Sequence, residues 1–206
     1  MTSHARGKKW IPGLLILLLG AGSLQAQNNV LFLDGGYTEL CANLAKRDDD
    51  PTKIAITGSR LEHPPIEICS RAIREESSAR FLRARNYNNR GVLYFAQGAL
   101  AQAQADFEQA IMLQDELARA HINLGYTLVA QERWNESIAP LTRGIELGAE
   151  DLPKAYYNRG IAFEETGQVA SAYRDYQMAA ELAPDWEAPR QELSRFSVRR
   201  GAADGG

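Results

Sequence analysis

The sequence predicts an all-α protein assembled from tandem helical hairpins, and three observations predict it. Segments beginning Tyr87-Asn88-Asn89-Arg90-Gly91, His121-Ile122-Asn123-Leu124-Gly125 and Tyr156-Tyr157-Asn158-Arg159-Gly160 align, with glycines 34 and 35 residues apart. The same offsets bring Tyr94, Leu128 and Phe163 into register, then Ala103, Ser137 and Ala172, then Phe107, Leu141 and Tyr176, then Ala110, Gly144 and Ala179. Helix breakers fall between these runs: Gly98 and Gly167 inside the first and third units, Asp151 to Pro153 and Pro184 between units. Self-similarity at this period is the mark of stacked helical repeats.

The elements follow in chain order. Arg6, Lys8 and Lys9 precede an apolar run from Leu14 to Leu19 and then small residues up to Ala26, the layout of a secretory signal over residues 1–26. Cleavage is expected after Ala26, with Ser23 as the other site. The apolar stretch is shorter than the roughly 20 residues that a spanning helix needs, so stable membrane insertion after cleavage is not expected. Residues 27–83 form a helical cap: Tyr37, Leu40, Cys41 and Leu44 keep helical spacing, as do Ile66, Cys69, Ala72 and Ile73 after Pro64-Pro65. Asp48-Asp49-Asp50-Pro51 and Thr57-Gly58-Ser59 are expected as turns, with Lys53 to Thr57 extended.

Residues 84–186 hold the three repeats, with helices expected near 84–97, 100–113, 118–131, 134–147, 153–166 and 169–182. A glycine inside a helix costs about 1 kcal/mol relative to alanine. Gly91, Gly125 and Gly160 therefore imply close approach of the paired helix. From Asp185 to Arg199, Trp186, Leu193 and Phe196 among charged residues predict a capping helix, which an array needs to close its last apolar face. Residues 187–206 hold this capping helix and a tail, of which 201–206 are expected to be disordered.

This pattern resembles the tetratricopeptide repeat, which has an aromatic at position 4, small residues at 8, 20 and 27, large apolar residues at 11 and 24, and often proline at 32. Pro184 matches position 32; Asp115 and Ala149 do not. The resemblance implies a right-handed superhelix of helical hairpins. Cys69 to Ile73 looks like the second helix of a degenerate repeat, as in bacterial exported repeat proteins that place a Cys-x-x-Ala-Ile helix before an Asn-Arg-Gly array.

The full chain of 206 residues carries 23 basic and 26 acidic side chains. Loss of residues 1–26 would remove three basic ones, leaving a mildly acidic protein without the positive field of a nucleic-acid binder. Cys41 and Cys69 are the only cysteines. In an oxidising compartment a disulfide is expected; two separate buried thiols and a redox pair are the alternatives. Periplasmic or secreted localisation is the matching expectation.

Nothing in the sequence supports catalysis. His4, His63 and His121 share no helix face, and His121 stands at the aromatic position of its repeat, as a packing substitute for tyrosine. Phosphate-cradling glycine loops, nucleophile elbows, zinc spacings and calcium loops are absent. No cofactor and no metal are expected.

The sharpest remaining signal is a pair repeated three times at a spacing that shares one helix face: Arg85 with Asn89, Arg119 with Asn123, and Lys154 with Asn158. The resemblance places these residues in a concave groove, where asparagines bond the backbone of an extended peptide. Amides supply donor and acceptor to any peptide unit, and cations favour acidic or C-terminal carboxylate groups. Asn88 and Val92, Ile122 and Tyr126, and Tyr157 and Ile161 complete the expected groove. The expected function is a protein-protein interaction scaffold or assembly factor. The alternative is an array that self-associates or docks a partner helix, with the asparagines internal. Arg90 and Arg159 are expected to pair with Asp106 and Asp175 rather than with a ligand.

Overall fold

The computed structural model describes residues 2–3, 36–45, 63–76 and 78–197. Apart from residues 2–3, the segment 1–26 where a signal is expected lies outside the described residues, as do the turns and extended stretch expected between 46 and 62 and the tail beyond 197. In chain order the helices are α1 (Gly36–Ala45), α2 (Pro65–Arg71), α3 (Arg80–Ala96), α4 (Leu100–Leu113), α5 (Ala118–Ala130), α6 (Trp134–Glu146), α7 (Leu152–Glu165), α8 (Val169–Leu182) and α9 (Glu187–Ser194). A π-helical turn, Ala72–Glu76, continues α2. Helices α3/α4, α5/α6 and α7/α8 are the three hairpins, and each packs on the next.

The helical glycines show why the hairpins close as they do. A Cβ at Gly91 would fall 2.6 Å from Phe107, and one at Gly160 would fall 2.8 Å from Tyr176; Gly125 meets Leu141 in the same way. Each glycine admits a large residue 16 positions later, so the second helix sits directly on the first. Phe107, Leu141 and Tyr176 are accordingly almost wholly buried. Hairpin turns put Gly98 and Gly167 in the left-handed region, at φ 73 and 77. The middle hairpin places Glu132 there, at φ 59, a conformation that costs a β-carbon-bearing residue roughly 1 kcal/mol.

The cap repeats this logic covalently. Cys41 and Cys69 are bonded to each other, with Cα atoms 4.8 Å apart and both side chains fully buried. Tyr37 lies four residues before Cys41, as Tyr87, His121 and Tyr156 lie before their glycines. The disulfide thus occupies the place of the glycine-to-apolar contact, across a separation of 28 residues instead of 16. Closing that loop stabilises the fold by about 3 to 4 kcal/mol in the chain-entropy account. Ser70, next to Cys69, accepts a bond at 3.0 Å from Arg90 Nη1; Thr142, next to Leu141, accepts one from Arg159 Nη1 at the same distance. Helix α2 therefore meets α3 as α6 meets α7.

Two expectations are corrected. Helix α3 begins at Arg80, four residues before the expected start. Helix α9 ends at Ser194, not Arg199; Phe196–Ser197 instead pairs antiparallel with Thr2–Ser3, the one strand pair among the described residues.

Candidate functional site

The first helices of the hairpins carry the predicted groove residues, and the structure sorts them into three groups. Ile122, Tyr126 and Ile161 are 4, 2 and 3% exposed and belong to the apolar core. They offer no surface to a ligand, because α6 and α8 lie across them; the side chain of Ile122, for instance, fills the space that a Cβ on Gly144 would need. Tyr157 is half-buried, with its ring packed at a tilt against Trp186 at 4.8 Å and against Tyr176 at 5.6 Å. Val92 is half-buried on α3.

The asparagines also divide. Asn123 donates from Nδ2 to Asn88 Oδ1 at 3.0 Å, and Asn158 donates from Nδ2 to the Lys154 carbonyl at 2.9 Å. Both are 7% exposed and Asn88 is 3% exposed. The expected row of three ligand-facing amides is therefore not presented: Asn123 ties one hairpin to the preceding one, and Asn158 turns back on its own helix. Asn89 alone of the three remains half-buried at an opening.

That opening is a cavity of about 290 Å³ where the first two hairpins meet the cap. Arg85, Asn88 and Asn89 of α3 form one wall, Arg119 and Glu150 the other, and Ala42 of α1 closes the end. The disulfide at Cys41, beside Ala42, ties that end wall to α2. Arg85 is exposed. Arg119 bonds Glu150 at 2.5 Å, but the two side chains are 49 and 84% exposed. A solvated pair of this kind is worth at most about 1 kcal/mol, so a competing carboxylate can take the guanidinium. Lys154 is engaged elsewhere, 2.7 Å from Asp151.

Arg90 and Arg159 meet the aspartates expected of them. Arg90 makes a two-pronged pair with Asp106 at 2.8 and 2.7 Å, and Arg159 one with Asp175 at 2.7 and 2.9 Å. Tyr87 and Tyr94 flank the first guanidinium, Tyr156 and Phe163 the second. The Asp106 bond raises the Arg90 pKa above its already high ordinary value. These clasps tie the two helices of a hairpin together, and none of the four residues lines that cavity. His121 is buried, with Nε2 2.7 Å from the Asp115 carbonyl, which fits a packing role.

Sequence reasoning missed one element of the row. Glu192 on α9 stands 34 residues after Asn158, where a fourth repeat would carry its asparagine. Tyr157 donates to it at 3.2 Å, repeating the contact between Asn88 and Asn123 two hairpins further on. Arg195 joins Glu192 to Glu164, with its Nη2 2.7 Å from Glu164 Oε2, and so locks α9 over the third hairpin. The 34-residue offset was the signal available for it.

Among the described residues no group of His, Cys, Asp and Glu is placed to hold a metal ion, and no helix is long and apolar enough to cross a membrane.

Comparison with known proteins agrees with this geometry. A tetratricopeptide-repeat family model matches residues 84–116 and 153–185, the first and third hairpins. The chain carries tetratricopeptide repeats. A curated relative, a peptidyl-prolyl cis-trans isomerase, FKBP42, of Arabidopsis thaliana, is 39% identical over 83 residues. That match spans 40% of this chain and 22% of the isomerase. A structure described as MamA 41-end from Desulfovibrio magneticus RS-1 superposes with a TM-score of 0.60 at 19% identity, covering 77% of this chain and 82% of that one. YrrB, described as a TPR protein with an unusual peptide-binding site, gives 0.56 at 23% identity, covering 62 and 63%. Arrays of this class present extended concave binding surfaces, and the repeats support a role as a protein-protein interaction scaffold.

Proposed function

We propose that this scaffold works outside the cytoplasm and holds the acidic or carboxylate-bearing tail of a partner protein in the cavity between its first two hairpins. The observation that carries the reading is the convergence there of Arg85 and Arg119 with the amides of Asn88 and Asn89. Two guanidiniums favour an anionic group, and the half-buried amide of Asn89 is placed to bond a peptide backbone. A structural relative described by its peptide-binding site supports the reading at the level of the fold. Export is supported by the basic, apolar and small-residue sequence of residues 1–26 and by the buried disulfide.

The test is fluorescence anisotropy with labelled peptides that end in a free carboxylate. Arg85→Glu with Arg119→Glu is expected to abolish binding, while the melting temperature stays within a few degrees because both side chains are exposed. Undiminished binding by this variant would reject the cavity as the site. N-terminal sequencing of the protein from cells tests export; a retained Met1 would reject it.

A further inference from the structure

Resting on the cavity reading, we propose that Phe81 forms a second subsite, selecting a large apolar side chain two residues before the ligand's acidic group. Phe81 is 53% exposed, although it is a large aromatic at the first turn of a well-packed helix. It precedes Arg85 by four residues, so both side chains emerge on one face of α3, with Cβ atoms about 5 to 6 Å apart. Arg85 lines the cavity, and Phe81 therefore lies one turn beyond the mouth. In an extended peptide, residues i and i+2 point the same way and lie roughly 6.6 Å apart. A ligand with its acid on Arg85 thus brings the side chain two positions earlier over Phe81.

The surroundings fit such a ligand. The first turn of α3 holds no acidic residue, and Arg80, Arg83 and Arg85 follow one another within it and the next turn. Arginines at a helix N-terminus add to the positive end of its dipole, so this end is attractive to an anionic segment. Arg80 Nη2 donates to the Met112 carbonyl at 2.9 Å and holds the end of α4 beside the start of α3. The Met112 side chain is 60% exposed. Phe81 and Met112 are thus two of the three large apolar side chains found exposed among the described residues. The third, Leu182, is distant in the array, at the end of α8.

The experiment uses the full chain and two fluorescein-labelled octapeptides, one ending in Ser-Leu-Gly-Glu and the other in Ser-Gly-Gly-Glu. The leucine peptide is expected to bind about tenfold more tightly, from partial burial of one apolar side chain. Phe81→Ala should erase that difference and leave the glycine peptide's affinity unchanged, and Arg85→Gln should weaken both peptides alike. Circular dichroism should show Phe81→Ala folded as the parent is. Equal affinity of the two peptides for the parent would overturn the Phe81 subsite while leaving the cavity reading intact. Failure of both peptides to saturate would overturn the cavity reading and this one with it. A concentration-dependent dimer in light scattering that Phe81→Ala converts to monomer would assign the surface to a second copy of the chain and overturn the proposal.

Discussion

Asn123 on α5 gives its amide hydrogen to Asn88 on α3, 3.0 Å away, in a setting where the two side chains are 7 and 3% exposed. The contact crosses the junction of the first and second hairpins and lies against the cavity wall that Asn88 helps to form. A buried amide pair of this kind fixes the hairpin register, because either partner left alone loses its hydrogen bond without regaining water. Asn123 therefore acts on the site through Asn88.

Asn123→Ala is accordingly expected to lower stability by about 1 to 3 kcal/mol, the cost of leaving the Asn88 carbonyl oxygen buried and unpaired. Asn89→Ala, at the half-buried residue facing the cavity, should lower it by no more than a few tenths of that range while weakening peptide capture. Urea unfolding followed by circular dichroism separates the two. Parent-like stability of Asn123→Ala would contradict the internal role given to this amide.

Much of this arrangement was legible in the residues, and the remainder failed for identifiable reasons. Regular glycine and large-residue registers located α4 through α8 to within a residue or two at each end, because helix-on-helix packing leaves little freedom at positions such as Gly91 and Phe107. The start of α3 was missed because Arg80 to Arg83 precede the repeat register, and Arg80 is tied to the end of α4. The groove was overestimated because one helix face carries ligand-facing and neighbour-facing positions side by side. Residue type alone does not tell an amide that meets a peptide from one that meets another amide, so Asn123 and Asn89 looked alike. Tyr126 and Ile161 looked like groove surface for the same reason, since helical spacing is indifferent to what covers them. The middle hairpin departs from its neighbours at Glu132, Leu124 and Pro140, yet its contact between Gly125 and Leu141 keeps the same geometry.

The clasp between Arg90 and Asp106 offers a second test, with the middle hairpin as its internal control. Asp106 is 5% exposed and is held by both prongs of the guanidinium. Arg90→Leu alone should destabilise by about 3 kcal/mol, because it strands a buried carboxylate. The second hairpin carries Leu124 and Pro140 at the matching positions and folds without a clasp. Arg90→Leu combined with Asp106→Ala should therefore recover most of the loss. Denaturation midpoints of the two variants decide the matter; a double variant no better than the single one would contradict the stranded-charge account.

Tyr126 gives a prediction in pH. Its hydroxyl is buried in the core without a hydrogen-bond partner. Burial pushes its pKa well above the usual tyrosine range, and the nearby Asp151 carboxylate pushes it further in the same direction. The folded state therefore holds the phenolic proton more tightly than the unfolded chain does. The stability linked to that proton is fully present below the ordinary tyrosine pKa of about 10, and it drains as pH rises from there toward the higher folded value. Tyr126→Phe removes both the unpaired hydroxyl and the titration. At neutral pH it should equal or exceed the parent, by up to about 1 kcal/mol, and its advantage should widen above about pH 10. Urea midpoints of parent and variant at neutral pH and near pH 11 provide the comparison. A gap that stays constant over this range would mean that the phenol ionises as easily in the folded protein as in the unfolded chain, which its burial against Leu141 and its neighbours does not allow.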